Sequence, residues 1–345
     1  MNLLDLSYSE LQELLSGLSV PKYRAEQIYS GLYSGKKLKE ITNLPQKLVQ
    51  DFEEKDIHGL NTEIVEKLVS NDGTIKYLFK LWDGNIVEGV LMRYKYGNTL
   101  CVSTQVGCRM GCAFCASGLD GLVRDLSAGE ILSEVILVNR DQGGTLNKRE
   151  VTNIVLMGCG EPLDNFDNVI KFLRLVSFEK GLNVSPRNIS LSTCGIVPGI
   201  LKLAEEDLQI TLTISLHAVD NESRSAIMPI NKAYKIEELI LATKAYFKKT
   251  GRRVVFEYAM IKGVNDSTQC AEKLASLVKG LSAHINLIPL NYVKERNLRG
   301  IKREEVYKFC EYLNKLGVSA TVRRTMGNDI EGACGQLRRK YIGEN

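Results

Sequence analysis

The 345-residue sequence predicts an α/β protein: a partial, TIM-like parallel barrel of six strand–helix repeats, (β/α)6, behind a small N-terminal helical domain and a β-hairpin extension. Three observations carry this. From residue 99 onward, short apolar runs alternate with helical stretches, the rhythm of a parallel sheet covered by helices. No dinucleotide fingerprint opens the series, which favours an incomplete barrel over a doubly wound sheet. Finally, every unusual polar or glycine-rich cluster falls just after a strand, on the one rim where barrels gather their active sites.

Taken in order, residues 1–60 read as short helices: one starts at Ser9-Glu10-Leu11, one spans Tyr23 to Tyr33, and one opens at Leu44-Pro45. Residues 61–97 change period. EIVEKLVS, TIKYLFKLW and IVEGVLMRY are hairpin strands, turned at Asn71-Asp72-Gly73 and Asp83-Gly84-Asn85. The barrel proper covers 98–325, with strands at TLCVST (99–104), NIVLMG (153–158), NISLST (188–193), TLTISLH (211–217), VVFEYAMI (254–261) and HINLIPL (284–290). A last strand, SATVRR (319–324), closes the series, and 326–345 is a tail.

Composition bounds the setting. Hydrophobic residues make up 44% of the chain and charged residues 25%, enough for a large core in a soluble protein. No stretch approaches the roughly 18 apolar residues of a membrane span, and the acidic start lacks a signal-peptide pattern. Nine cysteines, an odd number with three in one loop, argue against a secreted disulfide framework and for reducing cytoplasm. The net charge of +4 is mild, but basic residues cluster at Lys36, Lys37 and Lys39, at Lys248, Lys249, Arg252 and Arg253, and at Arg338, Arg339 and Lys340. Each cluster taken alone is an ordinary solvated face.

The loop after the first barrel strand reads C-R-M-G-C-A-F-C, placing Cys108, Cys112 and Cys115 at a C-x3-C-x2-C spacing. Three thiolates on one loop suit an iron–sulfur cube with one iron left open. A structural zinc knuckle needs a fourth ligand nearby, and neither Cys101 nor Cys159 completes a paired C-x2-C arrangement. The triplet, with Phe114 before its last cysteine, resembles the signature of the radical S-adenosylmethionine (SAM) superfamily. That resemblance implies a [4Fe–4S] cluster whose open iron binds SAM.

The other rim motifs follow the same frame. Gly158-Cys159-Gly160-Glu161-Pro162 comes after the second strand and resembles the superfamily's SAM-binding turn, with Gly160 allowing close approach and Glu161 available to the amino group of SAM. Ser192, Ser215, Leu216, His217 and Asn291 match positions that contact SAM in relatives; read alone, each is an ordinary strand, rim or turn residue. In the tail, A-C-G-Q-L places Cys334 between small residues. Together with C-V-S-T-Q-V-G-C and M-P-I-N it resembles the radical SAM RNA adenine methyltransferases of the RlmN/Cfr type, over essentially the whole chain. Within that family, G-E-P-L-D-N, S-T-C-G-I-V-P-G and N-L-I-P-L-N favour the RlmN branch, which methylates carbon 2, over Cfr, which methylates carbon 8.

The resemblance implies the chemistry. Carbon 2 of adenine is electron-poor, so direct methyl displacement from SAM is closed to it. Two SAM molecules are used per turnover: Cys334 takes a methyl group from the first, and a radical made from the second activates that S-methyl group for addition to the base. Cys101 then attacks the sulfur of Cys334 and frees the RNA through a transient disulfide. Glu88 matches the family's proton acceptor, but Cys101 is also well placed to take the carbon 2 proton, and a lone strand Glu is more often a surface residue. The implied substrates are 23S ribosomal RNA, at the peptidyl-transferase centre, and transfer RNA. Lys22, Arg24, Lys36, Lys37 and the basic tail are the expected phosphate contacts. A flavodoxin-like electron donor, no membrane and a monomeric state complete the expectation. A non-enzymatic iron–sulfur or zinc RNA-binding module, or a radical SAM enzyme acting on a protein or small molecule, are the alternatives from other classes.

Overall fold

A computed structural model describes residues 1–338. After a 3-10 turn at Leu3–Asp5 come three helices, α1 (Tyr8–Gly17), α2 (Tyr23–Tyr33) and α3 (Gln46–Glu54). Ser7 caps α1 through a capping box with Glu10, so the helix starts at Tyr8, one residue earlier than Ser9-Glu10-Leu11 suggested. Strands β1 (Glu63–Val69), β2 (Ile75–Lys80) and β3 (Ile86–Tyr94) are antiparallel, and β3 pairs in the same sense with β4 (Gly97–Val102). A small ribbon, β5 (Gln105–Gly107) and β6 (Leu122–Asp125), stands apart from that sheet.

Then the repeats begin: α4 (Ala128–Asp141), β7 (Val151–Leu156), α5 (Phe166–Ser177), β8 (Ile189–Thr193), α6 (Val197–Ala204) and β9 (Thr211–Ser215). They continue through α7 (Asn221–Ile227), α8 (Ile236–Thr250), β10 (Val254–Met260), α9 (Thr268–Leu277), β11 (Ala283–Pro289), α10 (Arg303–Lys315) and β12 (Ala320–Val322). One ten-stranded sheet runs β1-β2-β3-β4-β7-β8-β9-β10-β11-β12, parallel from β4 onward. The sheet does not close, so the barrel is partial, as expected. The strands of 61–97 continue it rather than standing beside it.

The N-terminal helices share the main apolar core with the barrel through Leu4, Leu11, Ile28, Leu32 and Phe52. Helix α4 lies between the two and is buried on almost every side, as expected of a helix covered by neighbours all round. Its N-terminus is closed from outside, because the Asp5 carboxylate accepts the Gly129 N–H at 2.6 Å. Interior positions on the strands alternate with core-facing ones, so Cys101, Ser192, Ser215 and Glu257 share one inner surface near the strand C-termini.

Candidate active site

The cysteine loop is held by the β5/β6 ribbon. Gly107, at φ +82°, lies so close to the Gly121 carbonyl that any Cβ there would overlap it, and the Cys108 N–H donates to the same carbonyl at 3.0 Å. Beyond the ribbon the loop is tied at several points. Ala113 N–H donates to the Ile227 carbonyl, Arg296 donates twice to the Cys115 carbonyl at 2.9 and 3.1 Å, and Arg109 pairs with Asp164 of the G-E-P-L-D-N turn. Cys108, Cys112 and Cys115 all line one cavity at the C-terminal mouth of the barrel. Among the described residues no trio of His, Cys, Asp or Glu converges as a single ion requires; a cube instead takes each thiolate on a different iron. Burial pushes the Cys108 thiol up to about 12 and raises Cys112, so both are thiols until iron displaces the proton.

The same cavity is lined by Gly160, Glu161, Ser192, Ser215, His217, Asn291 and Cys334. Gly160, at φ +111°, is pressed against its neighbours: a Cβ would stand 2.7 Å from both Thr104 Oγ1 and Gln105 Cβ. Its smallness serves protein packing, not only ligand approach. Glu161 is 4% exposed, and its two carboxylate oxygens accept the Leu163 and Cys194 N–H groups at 3.0 and 2.7 Å. Burial raises its pKa despite these bonds. The Ser192 and Ser215 hydroxyls meet at 3.4 Å. His217, in the left-handed region at φ 56°, accepts the Ala259 N–H on Nδ1 at 3.0 Å and packs edge-on to Phe114. Burial, helped by Arg224, brings it down to about 3, so the ring is neutral with its proton on Nε2.

Two expectations change in detail. Leu216 does not line the cavity: its side chain is in the core, its N–H donates to the Glu257 carbonyl and its own carbonyl accepts from Arg224. Asn291 lines the cavity but spends its amide N–H on the Cys334 carbonyl at 2.9 Å, clamping the tail. Cys159 is buried with its backbone engaged by Ser103, Thr104 and Gln105, in keeping with a backbone role.

Cys334 stands in the wall between this cavity and a second one, which Cys101 lines. The tail that carries it is bound to the cysteine loop: Ala116 N–H donates to the Gly335 carbonyl at 2.8 Å, and the Ser117 hydroxyl to the Leu337 carbonyl at 2.7 Å. Arg323 lines the second cavity and pairs with Glu257 of the first at 2.5 Å. Burial raises the Cys334 thiol, and the Arg323 guanidinium opposes the rise. Cys101 is raised further by burial and by Cys334 beside it. Glu88 lines neither cavity. Fully buried, it faces Lys76 Nζ at 3.2 Å through Oε1 and accepts the Arg338 N–H at 2.9 Å on Oε2.

Comparison with known proteins now decides the family. The model of the radical SAM superfamily matches residues 102–274. A protein named probable dual-specificity RNA methyltransferase RlmN, from Clostridium perfringens (strain 13 / Type A), is 49% identical over 99% of this chain and 97% of its own. Its namesake from Lachnospira eligens is 49% identical over 98% and 95%. The crystal structure of a radical SAM methyltransferase from Sphaerobacter thermophilus superposes with a TM-score of 0.92 at 43% identity, covering 98% of this chain and 99% of that one. The chain belongs to the RlmN family of radical SAM RNA methyltransferases. Membership brings a [4Fe–4S] cluster and SAM as cofactors, and the donor set at the barrel mouth fits them.

For an RlmN-family enzyme, several of its structural residues went unread in the sequence. Lys76, 1% exposed, is a strand lysine indistinguishable in sequence from a surface one. Arg224 is fully buried and bonds to the ends of β8 and β9; the signal for it was M-P-I-N, whose Asn231 accepts from it at 3.2 Å. Several members of the basic clusters have partners at the surface. Lys37 pairs with Glu63, Lys39 with Glu53 and Lys249 with Glu205, while Arg252 and Arg253 bond to neighbouring loops and strands. Arg24 donates to Gln27 and to the Asn43 carbonyl, while Lys22 and Lys36 are exposed, as are the ion-paired Lys37 and Lys39. Arg338 pairs with Glu295, and Arg339 and Lys340 lie outside the described residues.

Proposed function

We propose that this enzyme adds a methyl group to carbon 2 of adenosine in 23S ribosomal RNA and transfer RNA, with Cys334 as the methyl carrier. The observation that carries the reading is the position of Cys334, in the wall between a cavity lined by Cys108, Cys112 and Cys115 and one lined by Cys101. With a cluster on the three cysteines and SAM on the open iron, the cofactor pair supplies a methyl group and, on one-electron reduction, a hydrogen-abstracting radical.

The remaining work falls to the chain. Cys334 accepts the methyl group as its thiolate, which Arg323 favours. Ser192, Ser215, Glu161, His217 and Gly160 form the SAM side of the cavity, Leu216 shaping it from the core. Cys101 resolves the RNA–protein bond by attack on the Cys334 sulfur. Glu88 takes the carbon 2 proton once residues 337–338 move aside, since Arg338 N–H now occupies its Oε2. Lys22 and Lys36 contact RNA phosphate, and the target base leaves its stack to reach the barrel mouth. The enzyme works as a cytoplasmic monomer with a flavodoxin-like electron donor. Among the described residues no helix is long and apolar enough to cross a membrane.

Anaerobic cluster assembly, followed by reductant, SAM and transcripts of 23S ribosomal RNA and transfer RNA, tests the reading. Digests should yield 2-methyladenosine by mass analysis, alongside 5′-deoxyadenosine. A dominant 8-methyladenosine product would overturn the carbon 2 assignment, and stoichiometric zinc with full activity would overturn the cluster.

A further inference from the structure

Arg224 is the largest of the fully buried side chains. Its guanidinium donates to four acceptors, and all four are uncharged: the carbonyls of Cys194 (2.6 Å), Ser215 (3.1 Å) and Leu216 (3.1 Å), and Asn231 Oδ1 (3.2 Å). The other deeply placed cations have carboxylates, Lys76 in Glu88 and Arg323 in Glu257. Arg224 has none among the described residues. Burial brings it down only to about 10, so it is charged at neutral pH.

A lone buried charge is expensive, and folds that keep one set an opposite charge against it. Here the acceptor positions argue that the opposite charge is not a side chain of the resting fold. Asn231 occupies the place where an isosteric aspartate would neutralise the guanidinium. Its amide is fixed there by donating to the Asn221 carbonyl at 3.1 Å and the Ser225 hydroxyl at 2.8 Å. Helix α7, which carries Arg224, is tied to the cysteine loop by the Ala113 N–H donating to the Ile227 carbonyl at 2.8 Å, and Cys112, one of the three cluster cysteines, packs on the apolar patch formed by Cys194, Ile227 and Met228. A cube held by three thiolates is net negative, and reduction adds one more negative charge.

We propose that Arg224 is the built-in counter-charge of the cluster: it raises the cluster's one-electron reduction potential while pinning the ends of β8 and β9 that carry the SAM-side residues. This rests on Cys108, Cys112 and Cys115 holding the cluster. The guanidinium touches no reacting atom, so Arg224 is a positioning residue with an electrostatic part. Net charge and polar contacts around a cluster are among the levers that set its potential.

Redox titration of the reconstituted cluster, followed by electron paramagnetic resonance, separates charge from scaffolding. Arg224→Gln should lower the reduction equilibrium constant at least ten-fold, about 59 mV for a one-electron couple. Arg224→Lys, which keeps the charge and loses the fork, should stay within about three-fold of the unmodified enzyme. Asn231→Asp keeps the guanidinium but neutralises it, and should shift the potential in the same direction as Arg224→Gln; it provides the test if Arg224→Gln does not fold. Circular dichroism checks that each variant is native. An unmoved potential in Arg224→Gln or Asn231→Asp, or equal shifts in the Lys and Gln variants, would overturn the inference. Failure of the unmodified chain to assemble any cube would instead overturn the cysteine assignment.

Discussion

Replacing Lys76 with methionine strips the cation from a pair that water does not reach. Lys76 and Glu88 are 1% and 0% exposed, and Nζ faces Oε1 at 3.2 Å without hydrogen-bond alignment. Removing one partner of such a pair typically costs about 3–5 kcal/mol, because the survivor is a stranded charge. Glu88 would keep one donor, the Arg338 N–H on Oε2, which places the expected loss near about 3 kcal/mol. Lys76→Met/Glu88→Gln removes both charges and keeps an acceptor for Arg338, so most of that loss should return. Urea unfolding followed by circular dichroism measures both, and RNA methylation separates fold from chemistry. The double variant should be folded and, on the proposed role of Glu88 as the carbon 2 base, unable to methylate. A loss below about 1 kcal/mol in Lys76→Met, or a double variant no more stable than that single one, would refute the argument.

Three further outcomes are expected. Cys101→Ala should leave RNA covalently joined to Cys334, visible as a shifted band on denaturing gels, whereas Cys334→Ala should give neither adduct nor product; normal turnover by Cys101→Ala would contradict the assignment. His217 is held near 3 in the fold against 6.5 free, so the unfolded chain binds the extra proton and stability falls as pH drops below 6.5. His217→Asn, which tolerates the left-handed backbone, should therefore lose about 2 kcal/mol less than the unmodified protein between pH 7 and pH 5, read from urea midpoints. Gly160→Ala must push against Thr104 and Gln105 at 2.7 Å with φ +111°, and should cost at least about 1–3 kcal/mol in the same unfolding assay.

The strands were legible because parallel strands buried on both faces are short apolar runs with sharp ends; every barrel strand lies within a few residues of where periodicity placed it. The cysteine loop was legible because ligand spacing is local. What periodicity could not show is partnership at a distance. Lys76 and Glu88 look like the polar half of an exposed strand, and only pairing β2 to β3 turns them inward. Lys37, Lys39 and Lys249 read as basic patches, and their acidic partners are supplied by the fold. Leu216 matched a motif whose side chain points away from the cavity, because a motif records position, not direction.

The two sulfurs of the proposed exchange differ in how they are mounted. Cys101 is bolted into β4, with ladders to Val90 on one side and Val155 on the other, so it cannot travel without tearing a sheet. Cys334 hangs on a loop secured by a few bonds to Ala116, Ser117 and Asn291. Any approach between them is therefore a journey of the tail toward a stationary anvil. On the proposed exchange, joining the sulfurs would leave β4 in its ladders and show itself in the tail, where a reducing partner would have to take hold.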